Sequence, residues 1–295
     1  MTMSQGCEII TKKAKSYIEN KGFLDEWFGG QNKNYGVCPS ARYLDGYKDD
    51  KRAYRKVIPC GRECCDVCGQ EGSLLHRQRF ARGFSKIAGV KSLGYFVFTF
   101  PVEVRGALLE VSLLSEFQTF IGKLLTSYSW CGGWVSRWHW GGEKSKCWHP
   151  HLNVLVSGVG WLEYEVIQDI KERARVWVCE NIVLVNDVVV EYRYCSNVKQ
   201  RVHRWRYVCR PTLLLTGGDM WLLNLIGKLH NFRNTRWSRS GWIKLQDKID
   251  NKGLDIFNDK SIKWVYKGYF KDVEYETLEE WSYKGYGIFE YPDTS

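Results

Sequence analysis

The run from His149-Pro150-His151 into Leu152-Asn153-Val154-Leu155-Val156 restricts the fold more than any other part of this chain. It reads as a strand, and a strand sends alternate side chains to the same face. His149 and His151 therefore point together, as two imidazoles able to converge on one divalent metal ion. Pro150 between them lacks an amide proton, which suits the first residues of a strand or a sheet edge.

With 295 residues the chain has room for one large domain or two modest ones. Lys and Arg number 43 against 33 Asp and Glu, a formal charge of +10. That excess favours a polyanionic partner, nucleic acid or an anionic membrane. No apolar run approaches the roughly 18 residues of a membrane span, and residues 1–20 lack the apolar core of a signal peptide. The expected location is the cytoplasm, with no membrane partner. The 14 Trp and 17 Tyr lie among basic residues, a mix that suits unpaired bases stacking on rings while cations track phosphates. In that compartment the 11 cysteines are expected as reduced thiols or metal ligands.

Residues 1–71 are expected to form a helix and a zinc-binding module, residues 72–245 the main domain, and residues 246–295 an extension without identifiable chemistry. In the main domain, residues 74–87 read as a basic helix N-capped by Ser73, 95–100 as a strand stopped by Pro101, and 108–128 as a helix. Residues 134–140 and 152–156 read as paired strands, and 163–179 as an amphipathic helix. Residues 183–194 read as a hairpin around Asn186-Asp187, and 201–208 as a short helix limited by Pro211. The expected class is α+β, a central antiparallel sheet flanked by helices, with a small N-terminal Cys-rich module. Arg77, Arg79 and Arg82 on the basic helix, and Arg233 and Arg236 further on, are candidate DNA-phosphate contacts.

Cys60, Cys65 and Cys68, with Cys64 beside Cys65, contain the two-residue spacing that lets two thiolates grip one tetrahedral ion. Cys38 in Val37-Cys38-Pro39 is the natural fourth ligand. Thiolates suit Zn(II), and a closed four-sulfur site is structural. Spacing leaves Cys64 and Cys65 as alternatives, with Cys65 preferred. Cys7, Cys131, Cys147, Cys179, Cys195 and Cys209 stand singly and read as mostly buried structural thiols.

Further groups accompany the histidine pair. Arg137-Trp138-His139-Trp140 offers His139 as another imidazole, and Glu143 is a competing oxygen ligand. The helix over 201–208 carries His203 and Tyr207 on one face, with Arg210 three residues beyond Tyr207. Taken in order, Phe98-Thr99-Phe100-Pro101, the run 149–156 and Tyr207-Val208-Cys209-Arg210-Pro211 resemble the motifs of the HUH superfamily of single-strand DNA endonucleases. The nearest likeness is to rolling-circle replication initiators of plasmids and viruses. Cys38, Cys60, Cys65 and Cys68 resemble the zinc-binding element in front of several of these proteins and of related insertion-sequence transposases. The resemblance covers residues 38–211. Two-tyrosine relatives carry a second Tyr where this chain has His203, so the likeness is to the single-tyrosine type.

That resemblance implies nicking and joining of single-stranded DNA at a replication origin. Tyr207 would attack the scissile phosphodiester, leaving a 5′-phosphotyrosyl link and a free 3′-hydroxyl. His149 and His151 would hold Mg(II) or Mn(II), with His139, His203 or Glu143 completing the set. An imidazole-rich site favours Mn(II). Arg210 would neutralise developing negative charge, and His203 would carry a proton if it is not a ligand. No G-x-x-x-x-G-K-[ST] sequence occurs, so a host helicase and polymerase are the implied partners. The alternatives are a transposase of the same superfamily and a non-enzymatic, zinc-containing nucleic-acid-binding regulator. The regulator would leave the histidine pair and Tyr207 idle.

Overall fold

The computed structural model describes residues 38–61, 65, 67–141, 148–211, 228–229, 232–242, 257–269, 282–285 and 288–291. The expected helix within 1–36, together with Cys7, Cys64, Glu143 and Cys147, lies outside them. In chain order the strands are β1 (Arg42–Lys48), β2 (Lys51–Ile58), β3 (Leu93–Thr99), β4 (Gly133–Gly141) and β5 (Trp148–Ser157), then β6 (Val189–Cys195), β7 (Thr235–Trp237), β8 (Lys263–Tyr269), β9 (Ser282–Gly285) and β10 (Ile288–Glu290). The helices among the described residues are α1 (Leu74–Gly89), α2 (Val102–Arg105), α3 (Val111–Thr126), α4 (Tyr164–Asn181) and α5 (Val198–Cys209). The class is α+β, with two antiparallel five-stranded sheets. No described helix is long and apolar enough to cross a membrane.

Two compact units divide the chain. One takes in residues 86–245, and the other joins residues 12–85 to residues 246–295. The described part of the C-terminal stretch belongs to the second unit. Its strands β8, β9 and β10 complete a sheet of order β8-β1-β2-β10-β9. The hairpin β1–β2 turns at Asp49 and Asp50, whose φ of 50° and 59° fit the left-handed turn that matches strand twist. Asp45 and Arg55 stand opposite each other in that hairpin, joined by a buried bond of 2.8 Å from Arg55 Nε to Asp45 Oδ1. One side of the sheet packs Val57 and Phe289 against Cys38, Ala41, Cys68 and Leu74. Ser73 caps α1 as expected, its Oγ accepting from the His76 amide at 3.3 Å. The turn before it needs a glycine, since Gly72 has φ +81°.

Lys56, in β2, is nearly buried, with its ammonium 3.5 Å from the centre of the Phe257 ring. Burial first, and the Arg82 charge second, push its pKa down to about 8. The unfolded chain holds this proton up to a pKa of about 10.4, so between these values only the unfolded state is protonated and stability rises with pH. The penalty is fully present below pH 8. Lys56→Met is accordingly expected to melt several degrees higher than wild type at pH 7.5. The gap should narrow by pH 10, as followed by thermal denaturation, and a gap independent of pH would reject the assignment.

The second sheet runs β6-β3-β5-β4-β7. β5 is central and buried on both faces, with Leu152, Val154 and Val156 on one and His151, Asn153 and Leu155 on the other. Leu152, Val154 and Val156 join Phe96, Phe98 and Trp138 in a core closed by Leu114, Phe117 and Ile121 of α3 and Ile170, Ala174 and Val178 of α4. The helix expected over 108–128 is split: Ala107–Leu109 forms a 3-10 turn, and Glu110, in extended conformation, precedes α3. The hairpin expected over 183–194 is not formed. Only β6 is a strand, pairing with β3 from Leu93↔Cys195 to Thr99↔Val189. Val185 and Val188 are buried in the core instead, and the Val185 amide donates to Cys179 Sγ at 3.4 Å. Of the single cysteines, Cys195 and Cys209 are buried, while Cys131 and Cys179 are half-buried.

Candidate active site

On the face of β5 opposite the apolar core stand His149, His151 and Asn153. His139 of β4 is directly across from His151, as is Thr99 of β3 on the other side. The His139 and His151 rings lie 5.2 Å apart, and those of His149 and His151 lie 6.1 Å apart. α5 packs on this face. Its N-terminus is capped by Asn197, whose Oδ1 accepts from the Gln200 amide at 2.9 Å, and Val202, Trp205, Val208 and Cys209 are buried. Tyr207 leaves the last turn of α5 with its ring 5.3 Å from His139 and 6.4 Å from Tyr95. Arg210 Nη2 donates to the Tyr207 hydroxyl at 3.1 Å, and the guanidinium carbon lies 4.1 Å from that ring's centre.

The hydrogen-bond partners fix the imidazole tautomers. A carbonyl can only accept and a guanidinium can only donate. His139 Nε2 meets the Val208 carbonyl at 3.1 Å, so Nε2 carries the proton and caps an open carbonyl in the last turn of α5. His139 Nδ1 is then a buried lone pair without a hydrogen bond. His151 Nδ1 meets the His149 carbonyl at 3.0 Å, so that nitrogen is the donor and Nε2 keeps the lone pair. His149 Nε2 accepts from Arg105 Nη2 at 3.2 Å. Burial first, then His151, Arg210 and Arg137, hold His139 well below the usual histidine range. Burial and Arg105 lower His149 in the same sense. Both shifts favour the uncharged form of His139 and of His149.

Metal fit separates the two expected sites. The Sγ atoms of Cys38, Cys60, Cys65 and Cys68 all lie within 4.8 Å of one another, with Cys38 and Cys68 3.5 Å apart. A tetrahedral ion with Zn–S bonds of about 2.3 Å holds its sulfurs about 3.8 Å apart, so the quartet could hold a metal such as zinc. The Cys68 amide donates to Cys65 Sγ at 3.4 Å, orienting that ligand. The histidines differ. Among the described residues the thiol quartet is the one group of three or more ligand atoms drawn within 4.8 Å, so the imidazole nitrogens do not form a ready-made ion site.

The remaining candidates spread out. His203 is exposed on α5 one turn before Tyr207, its pKa lowered by burial and by Arg204 and Arg206. Arg77 is buried and donates to the Gly72 carbonyl at 2.8 Å, so it braces the turn before α1 rather than reaching for phosphate. Arg236 is similarly engaged, donating to Thr119 Oγ1 at 2.6 Å and tying β7 to α3. Arg82 and Arg233 are exposed, and Arg79 is half-buried. Sequence reading missed Tyr95, Asn153 and Arg105. Tyr95 donates to Asn153 Oδ1, and burial followed by the neighbouring Tyr207 raises its pKa beyond the usual tyrosine range. Extending the period of two from His151 would have found Asn153. No local signal pointed to Arg105. No protein-family model, curated protein or solved structure matches this chain.

Proposed function

We propose that this protein is a single-tyrosine endonuclease and strand transferase of the HUH type, acting on single-stranded DNA to start rolling-circle replication. One observation carries the reading: the Tyr207 ring packs 5.3 Å from His139, which is 5.2 Å from His151 on the strand of the histidine motif. A residue order seen in sequence thus meets in one place, across about 70 residues of intervening chain. The thiol quartet would carry a structural Zn(II).

In this reading the Tyr207 oxygen attacks the scissile phosphorus. The P–O3′ bond breaks, the 3′ oxygen leaves and takes a proton, and the 5′-phosphoryl group passes to the phenol oxygen. Arg210, bonded to that oxygen, supplies positive charge where the phenolate and then the phosphate oxygens gain negative charge. His203, its pKa lowered by burial and by Arg204 and Arg206, would serve as the base one turn earlier on the same helix. The expected Mg(II) or Mn(II) would add Lewis acidity once bound. A 3′-hydroxyl attacking the phosphotyrosine reverses the step, and no ATP is consumed. Host helicase and polymerase would act on the freed end.

The test is to incubate the full chain and Mn(II) with single-stranded copies of its own replicon. A covalent adduct resolved on a denaturing gel, mapped by mass spectrometry to the peptide bearing Tyr207, is expected. Retarded but fully dissociable complexes on every segment would favour the non-enzymatic regulator.

A further inference from the structure

A register shift in β8, the edge strand of the sheet β8-β1-β2-β10-β9, brings two tyrosines to the same side. Cross-strand partners share a face, and so do residues two apart on one strand. Tyr269 is opposite Arg42 and Tyr266 is opposite Leu44, while the shift passes over Lys267 between them. Trp264, two residues before Tyr266, is opposite Gly46 on the same side. A Cβ at Gly46 would stand 2.9 Å from the Trp264 ring, so this indole lies close on bare backbone, with the Phe257 ring 5.4 Å away. The other two rings are open to solvent, Tyr266 being 56% and Tyr269 43% exposed. Positive charge flanks this row. Arg42, Lys263 and Lys267 are exposed and form no ion pair among the described residues. Asp45 is the one carboxylate in the sequences of β1, β2 and β8, and Arg55 and Arg52 hold it at 2.8 and 3.8 Å. Asp49 and Asp50 lie at the hairpin tip between Lys48 and Lys51.

We infer that this face binds single-stranded DNA, with unpaired bases stacked on Tyr266 and Tyr269 and phosphates met by Arg42, Lys263 and Lys267. The surface uses none of the residues of the imidazole face, and it holds DNA whether or not Tyr207 cuts it. A ring can stack only on a base released from a duplex, and every base has a π face, so binding tolerates sequence. Neither stacking nor charge pairing calls on a 2′-hydroxyl, the group by which proteins select RNA. Other occupants fit less well. A protein strand added to the edge would meet Lys263 and Lys267, charges that oppose edge pairing. A lipid surface takes up a broad apolar face, and here the two exposed rings both carry hydroxyls.

The probe is an oligodeoxythymidine carrying 5-iododeoxyuridine, irradiated with the full chain, because that base couples to aromatic rings stacked on it. Crosslinks are expected on tryptic peptides 264–267 and 268–271, which hold the two tyrosines. Tyr266→Ala should shift the titration of the 268–271 crosslink about tenfold to higher DNA concentration, and Tyr269→Ala that of the 264–267 crosslink likewise. Tyr266→Phe and Tyr269→Phe keep the ring and should stay within about twofold. Arg42→Gln should make the slope of log affinity against log salt shallower by about 0.7. Circular dichroism checks folding, and the wild-type crosslinks and phenylalanine variants decide the matter if an alanine variant fails to fold. Crosslinks confined to other peptides, unshifted titrations in folded alanine variants, or tighter binding of oligouridine would overturn the inference. So would phosphatidylserine vesicles that bind through the two tyrosines when the oligonucleotide does not. The adduct assay reads separately: crosslinks on both peptides without a Tyr207 adduct would reject the nuclease and keep this surface, and an adduct without those crosslinks would do the reverse.

Discussion

Tyr207→Phe is expected to remove the covalent DNA adduct almost completely, by a factor on the order of 10³ or more, while single-stranded DNA binding stays within about twofold. The substitution deletes one oxygen and leaves the ring that packs against His139 and Tyr95. The helix end should stay in place, because His139 bonds the Val208 carbonyl and not the phenol. Loss of the Arg210 bond to the hydroxyl should change stability by no more than about 1.5 kcal/mol. Tyr95 is no substitute nucleophile: it is buried, its hydroxyl is committed to Asn153, and its pKa is raised. Gel and mass-spectrometric assays on wild type and variant decide the matter. An undiminished adduct in the phenylalanine variant would reject Tyr207.

The second large effect concerns the thiol quartet. Stripping its ion with a strong chelator, or Cys68→Ala, is expected to unfold the unit built on β1 and β2. A bound zinc contributes on the order of 10 kcal/mol to folding such a module. Among the described residues the buried apolar cluster around the quartet is small: Ala41, Val57, Leu74 and Phe289 beside Cys38 and Cys68 themselves, with Val67, Leu75 and Tyr291 packed against it. Zinc content by chromogenic release and melting by circular dichroism, with and without chelator, provide the check. About one zinc per chain and a large chelator-induced loss of melting temperature are expected. Protein that carries no metal and melts unchanged would refute the structural-ion role.

Local patterns carried far in this chain. The period of two in 149–156 put His149 and His151 on one face, because side-chain direction in a strand follows from backbone pleating alone. The C-x2-C pair with Cys38 and Cys60 was legible because one ion demands four sulfurs at fixed spacing. Cysteine spacing left Cys65 in competition with Cys64, and the described quartet contains Cys65. The apolar stripe of α3 was readable too, although its start was placed too early. The strands of 246–295 were not legible: Lys263-Trp264-Val265-Tyr266-Lys267 reads as mixed composition until β1 supplies a ladder for it.

Residue types, spacing and periodicity thus determined which side chains share a face, which thiols can meet, and which helix bears Tyr207. Tertiary structure alone decided that α5 lies on the imidazole side of the sheet, that Arg77 and Arg236 serve as braces, and that Arg105 sits on His149. The reason is one of range. Strand and helix periods are set by neighbouring peptide units, whereas a hydrogen bond across 44 residues exists only after the sheet has fixed both ends.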